Sequence, residues 1–285
     1  MSASWSVATT DGPAVRADRY DAGDVSRPQG LARMSELLAI EGLALFHGAC
    51  SRTAVLQAAS MLLIARPHPD ADPDRITVIT DRGAVGELPN GAGFSCRELS
   101  AHTDGSRDPS PPALMMAVSA QPATRGGASR FADGLAILSE LATTWPQAMA
   151  AFAQPRSVLF GGTDGYLGAV LTPIQGTTSA TARLRLRLRL DDLVTFAPDV
   201  QPWLPALRAA VTRHTITVPL AAGQGCILDN HRWLHAREEF TGTRTLYRLL
   251  GDPLPGLGLH PGIPTTLDFQ FLARGRSHAL GTCCP

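Results

Sequence analysis

TITVPLAAGQGCILDNHRWLHA, residues 215–236, reads as two short strands around a glycine turn. His231 and His235 are four apart, the spacing of neighbours on one helix face. Gly223, Gly225 and the Ile227–Asn230 run oppose a helix, so one of the two histidines, not both, enters any site on this stretch. RTLYRLL (244–250) follows as another strand. Upstream, TARLRLRLRLDD (181–192) alternates strictly, with Arg183, Arg185, Arg187 and Arg189 on one face and Leu on the other, as in a half-buried antiparallel strand with a solvated or acid-covered Arg face.

Further outward, GLALFHG (42–48), ITVIT (76–80) and PPALMMAVSA (111–120) read as strands. TAVLQAASMLLIA (53–65), the apolar pattern from Leu135 to Phe152 and VQPWLPALRAAVTRH (200–214) read as helices. Short strands, Gly/Pro turns and outlying helices predict a mainly β fold with peripheral helices, a double-stranded β-helix or jelly roll. One domain over 1–285 is expected. Its core spans about 30–252, and residues 1–26 and 275–285, with Cys283-Cys284, are flexible ends.

The 285 residues include 25 basic and 25 acidic side chains, and every basic one is Arg. Lysine Schiff-base chemistry is therefore excluded. With the charges cancelling and no basic block, neither nucleic acid nor a membrane surface is expected as a partner. No apolar run is long enough to span a bilayer, and the N-terminus lacks the pattern of a signal peptide. The five cysteines are scattered without zinc or disulfide spacing and fit a cytoplasmic protein.

SAHTDGS (100–106) carries the chemistry. On a strand His102 and Asp104 share a face. His68-Pro69-Asp70 has the same spacing, and composition alone gives on the order of half a His-x-Asp per chain, so the tripeptide informs only through its surroundings. The 66–74 loop, RPHPDADPD, offers nothing to complete a site, and His68 and Asp70 are set aside. Two His and one carboxylate on one face of iron(II) leave the other face open. His47, His214, His260 and His278 lie at a strand end, a helix end or in Gly/Pro-rich and terminal sequence, which leaves His231 and His235. Arg244 and Arg248, an even four apart, face one side of a strand and suit an anionic cosubstrate, since Arg binds carboxylate bidentately. Arg237, two past His235, can also face inward.

In this order, GLALFHG, LSAHTDGS, PPALMMAVSAQPATRGGASRFADG, LRLRLDD and GQGCILDNHRWLHAREEFTGTRTLYRL resemble the Fe(II)/2-oxoglutarate-dependent oxygenases of the taurine dioxygenase/clavaminate synthase-like superfamily, over roughly residues 40–250. The resemblance implies that His102, Asp104 and His235 ligate iron and that Arg244 binds the 5-carboxylate of 2-oxoglutarate, assisted by the Ser129 hydroxyl. It implies substrate contact for Arg248, with Arg237 a further candidate. Related halogenases carry a small residue where Asp104 stands, so an oxygenase using Fe(II), 2-oxoglutarate and O2 is implied. Its reaction is hydroxylation of a small anionic metabolite in a biosynthetic pathway, or desaturation, cyclisation or epimerisation. Asp in place of the Glu of some amino-acid hydroxylases points away from a free basic amino acid. A carrier protein and a homo-oligomer stay open as partners. TDRGAVGELPNGAGFSCREL (80–99) is read as a lid or an ordinary loop. The rival readings are a cupin-like metalloenzyme without 2-oxoglutarate and a β-barrel binding a small anion through Arg244 and Arg248.

Overall fold

The computed structural model describes residues 17–87, 91–161, 165–174 and 182–265. Strands β1 (Asp21–Asp24), β2 (Leu43–His47), β3 (Leu63–Ala65), β4 (Thr77–Ile79), β5 (Leu99–His102), β6 (Leu114–Gln121), β7 (Ser129–Asp133), β8 (Thr215–Val218), β9 (Gly225–Asp229), β10 (Trp233–Arg237) and β11 (Thr245–Pro253) build two sheets. The larger runs β1-β2-β9-β6-β11-β3, with β4 also beside β11, and the smaller runs β8-β7-β10-β5. Their pairings are antiparallel except β1 with β2. The helices are α1 (Pro28–Glu41), α2 (Arg52–Ser60), α3 (Gly134–Thr144), α4 (Pro146–Ala153) and α5 (Leu204–Arg213).

The apolar runs of the larger sheet follow from its being buried on both faces. Leu43 and Leu45 of β2, Met115 and Ala117 of β6, and Cys226 and Leu228 of β9 point one way, onto Phe131, Ile216 and Val218 of the smaller sheet. Ala44, Phe46, Met116, Val118 and Ile227 point the other way, under Met34, Leu37 and Leu38 of α1 and Val55, Ala58 and Ala59 of α2. On the outer face of the smaller sheet, Ala132 and Leu234 pack with Leu138 of α3, Phe152 of α4 and Leu207 of α5. The order is helices, large sheet, small sheet, helices.

α1 opens with proline at its first position and ends at Gly42, whose φ of 70° lets its N–H reach the Leu37 and Leu38 carbonyls. A side chain there would meet the Trp233 indole nitrogen at 2.9 Å. That nitrogen donates to the Glu41 carbonyl at 2.9 Å, tying α1 to β10.

Several sequence expectations are corrected. The helix read over 53–65 ends at Ser60, and Leu63–Ala65 is β3, paired with β11 through Ala65 and Gly251. A short apolar run is ambiguous in period, and the strand pairing decides it. The single pattern 135–152 is two helices, because Pro146 lacks an N–H and keeps Trp145 out of the helical region (φ −139°, ψ 67°). Among the described residues of the alternating Arg/Leu segment only Arg183–Leu186 is strand. Arg187 is buried, not solvated: its guanidinium lies 4.1 Å from the Tyr166 ring centre and donates to the Ser106 and Pro109 carbonyls at 3.2 Å. Packed residues also lie outside the 30–252 span. Asp21 pairs with Leu45 and Asp24 with His47, since backbone pairing needs no apolar side chain, and Ile263 is fully buried beside Leu184. Residues 1–16 and 275–285, with Cys283-Cys284, lie outside the described residues.

Phe46→Ala empties a fully buried site between β2 and the helices. It is expected to lower unfolding stability by about 3–5 kcal/mol, against less than about 0.5 kcal/mol for Ile40→Ala, which is 69% exposed. Urea denaturation of both variants measures the difference.

Candidate active site

β5 and β10 pair with His102 directly opposite His235, and the two imidazole centres are 4.2 Å apart. Beyond β5 the chain turns at Gly105, where φ is 70°. Asp104 is held before that turn by Asn230: its N–H donates to Asn230 Oδ1 at 2.7 Å, and Asn230 Nδ2 donates back to the Asp104 carbonyl at 3.0 Å and to the Pro112 carbonyl at 2.8 Å.

Asp104 Oδ1 lies 4.0 Å from His102 Nε2, and Asp104 Oδ2 lies 3.6 Å from His235 Nε2. These gaps are too long for hydrogen bonds and leave space for an ion between the three side chains. The three side chains offer ligand atoms all within 4.8 Å of one another. His102 Nδ1 is 2.8 Å from the Ser100 carbonyl and so carries the proton, which leaves the Nε2 lone pair free. Asp104 Oδ2 is buried without a hydrogen-bond partner. A buried carboxylate oxygen with nothing to accept from fits a bound cation.

Burial opposes ionisation of Asp104, but Arg248, His235 and His102 outweigh it and hold the carboxyl well below its ordinary value. Burial, reinforced by His102, pushes His235 down to about 3, and burial likewise lowers His102. An ionised carboxylate between two neutral imidazoles is the form that binds a metal.

These groups line a cavity of about 750 Å³. Arg248 enters it from the inner face of β11, the face of Leu246 and Leu250. Its Nη1 donates to Asp104 Oδ1 at 3.1 Å and its Nη2 lies 3.3 Å from His68 Nε2. Arg244, 5% exposed, also lines the cavity, as does Ser129. Arg244 Nε donates to the Gly127 carbonyl at 3.2 Å, and among the described residues its guanidinium has no carboxylate partner. Gly127, at φ 73°, leaves room for it: a Cβ there would lie 3.1 Å from Arg244 Cδ. Arg237, expected at the substrate, spends both terminal nitrogens on backbone: Nη1 on the Gly93 carbonyl at 3.3 Å, Nη2 on those of Ser95 at 2.7 Å and of Arg97. His231 stays outside the ligand set, buried with Nε2 3.3 Å from the Pro111 carbonyl.

Two residues escaped the sequence reading. His68 was set aside with its loop, yet the pairing of β3 with β11 carries that loop to the cavity and puts the imidazole on Arg248. Nothing in the His-x-Asp spacing signals this. Asn230 had a visible signal, a buried-looking Asp-Asn pair immediately before His231, though only the fold shows that it clamps Asp104. The segment 80–99 covers part of the cavity through Ala92, Gly93 and Phe94.

The chain is similar to solved oxygenase structures. An asparagine oxygenase in complex with Fe(II), 2S,3S-3-hydroxyasparagine and succinate superposes with a TM-score of 0.62 at 17% identity, over 78% of each chain. Another asparagine oxygenase structure gives 0.63 at 15% identity, over 86% of this chain and 99% of that one. The non-haem iron oxygenase OrfP, in complex with Fe and α-ketoglutaric acid, gives 0.57 at 14% identity over 80% and 86%. No curated protein sequence matches. The model of the taurine catabolism dioxygenase TauD, TfdA family matches residues 8–250. With that match spanning most of its length, the chain belongs to the taurine catabolism dioxygenase TauD, TfdA family.

Proposed function

We propose that His102 Nε2, Asp104 and His235 Nε2 hold iron(II), that Arg244 binds the distal carboxylate of 2-oxoglutarate, and that Arg248 orients a small anionic substrate. The observation that carries this reading is the convergence of three ligand atoms within 4.8 Å, with Asp104 Oδ2 buried and unpartnered, in one cavity with two inward arginines. When bound, iron(II) with 2-oxoglutarate and O2 supplies oxidation of a substrate C–H bond, with release of succinate and CO2.

The protein's own part is geometry and charge. The β5–β10 register sets the two imidazoles, and Asn230 sets the backbone of Asp104. Arg248 occupies Asp104 Oδ1 and leaves Oδ2 for the metal, so it fixes the carboxylate while its second nitrogen, next to His68, faces the cavity. Arg244 matches the single carboxylate at the far end of 2-oxoglutarate, and the Ser129 hydroxyl on the same wall supplies a further donor. The two facing sheets are read as a double-stranded β-helix. The OrfP and asparagine oxygenase structures hold hydroxylated amino acids, which supports hydroxylation as the outcome here. The substrate of this chain is read as a small carboxylate of a biosynthetic pathway, free or carrier-borne. Among the described residues no helix is long and apolar enough to cross a membrane, and the cytoplasm is our reading of where the enzyme works.

Anaerobic Fe(II) with 2-oxoglutarate is expected to give a weak visible charge-transfer band, and His102→Ala or Asp104→Ala each to abolish it. His68→Ala is expected to keep the band, since its imidazole reaches Arg248 and not the ligand atoms; a band lost with His68→Ala overturns this ligand set. Removing the Asn230 clamp with Asn230→Ala is expected to weaken Fe(II) binding about 10–100-fold while His102 and His235 stay in register. Titration of the apoprotein with Fe(II) under argon reads that loss.

A further inference from the structure

Arg237 and Arg244 are both buried in the wall of the cavity, and both lie against one ring. Their guanidinium carbons are 5.0 Å and 5.7 Å from the centre of Phe240. Among the described residues neither has a carboxylate partner: Arg244 donates to one carbonyl, and Arg237 donates to the carbonyls of Gly93, Ser95 and Arg97. Those three carbonyls belong to the segment that lines the cavity with Gly93 and Phe94. The Phe240 N–H ties the same segment down through the Cys96 carbonyl at 2.9 Å.

A neutral donor would satisfy backbone carbonyls at less cost than a buried cation. Two buried cations lie against one ring and repel each other. This is an arrangement that an incoming anion relieves. Resting on the assignment of Arg244 to 2-oxoglutarate, we propose that Arg237 is a positioning residue of the cosubstrate site. Its charge adds to the attraction for the distal carboxylate of 2-oxoglutarate, and its hydrogen bonds couple the arrival of that carboxylate to ordering of residues 93–97 over the cavity.

Charge and hydrogen-bond geometry separate in two substitutions of the full-length, Fe(II)-loaded enzyme. Arg237→Gln keeps donors and loses the charge; Arg237→Lys keeps the charge and loses the fork. Anaerobic titration with 2-oxoglutarate, read by the charge-transfer band, is expected to show affinity reduced on the order of tenfold in Arg237→Gln and within about threefold of wild type in Arg237→Lys. Hydrogen exchange across 92–97 is expected to slow in the wild type when 2-oxoglutarate is added, and to lose that response in Arg237→Lys. Equal affinity loss in both variants, or wild-type affinity in Arg237→Gln, overturns the electrostatic role. Exchange across 92–97 that ignores 2-oxoglutarate in the wild type overturns the coupling, and this measurement needs no variant to fold. A wild-type enzyme with no band overturns the cosubstrate assignment itself, an outcome distinct from any difference among variants.

Discussion

The cross-strand pair of His102 and His235 is the contact on which the rest of this site depends. Side chains on adjacent antiparallel strands meet only when the register is correct, and a slip of one residue turns every side chain to the other face. Here the register is fixed from both sides of β10. Trp233 pairs with Asp133 and Arg237 with Ser129 on β7, while His235 meets His102 on β5. Leu234 on one face is locked into the helix-covered core, so His235 on the other has one place to go. The two imidazoles thus inherit their placement from hydrophobic packing on the reverse side of the strand.

Asp104 lies past the end of that ladder and cannot inherit its position in the same way. Its placement comes from polar clamps: Asn230 on its backbone and Arg248 on Oδ1. This division has a chemical sense. The His102 imidazole gains its orientation and its proton-free Nε2 from the Ser100 carbonyl, and burial favours the neutral form of both rings. The carboxylate needs to stay charged in a buried place, and the cations around it overcome the cost of burial.

His102 and Asp104 could be singled out as candidate ligands because metal chemistry restricts residue types and strand geometry restricts spacing, whereas the choice of His235 over His231 rested on the family resemblance. Arg244 and Arg248 could be singled out by their separation of four, but they do not share a strand: β11 begins at Thr245, with a register shift between Thr245 and Leu246, so the place of Arg244 in the cavity wall does not follow from strand alternation. His68 could not, because its approach to Arg248 is made by the long-range pairing of Ala65 with Gly251. The helix and strand boundaries around residue 60 failed on period alone, and those around Trp145 failed because the apolar pattern was followed through a proline. The Arg/Leu alternation of 181–192 misled in a more instructive way. Alternation states that two faces differ; it does not state that the charged face is wet. Arg187 is buried because Tyr166 and two backbone carbonyls replace its water.

The same replacement recurs at Arg237, and comparing the two separates a structural arginine from one that waits for a ligand. Arg187 stacks on Tyr166 in a wall whose remaining charges are other arginines and aspartates of the fold. Arg237 stacks on a ring it shares with Arg244, which like it has no carboxylate partner among the described residues, inside the cavity that holds the candidate metal ligands. Carbonyls satisfy its hydrogen bonds without supplying a counter-charge, and its own charge opposes that of Arg244 beside it. The two charges lie in a cavity open to a dicarboxylate. On the proposed assignment the arginines of this site complement a bound dicarboxylate, which is the condition for a cosubstrate to organise the wall that encloses it.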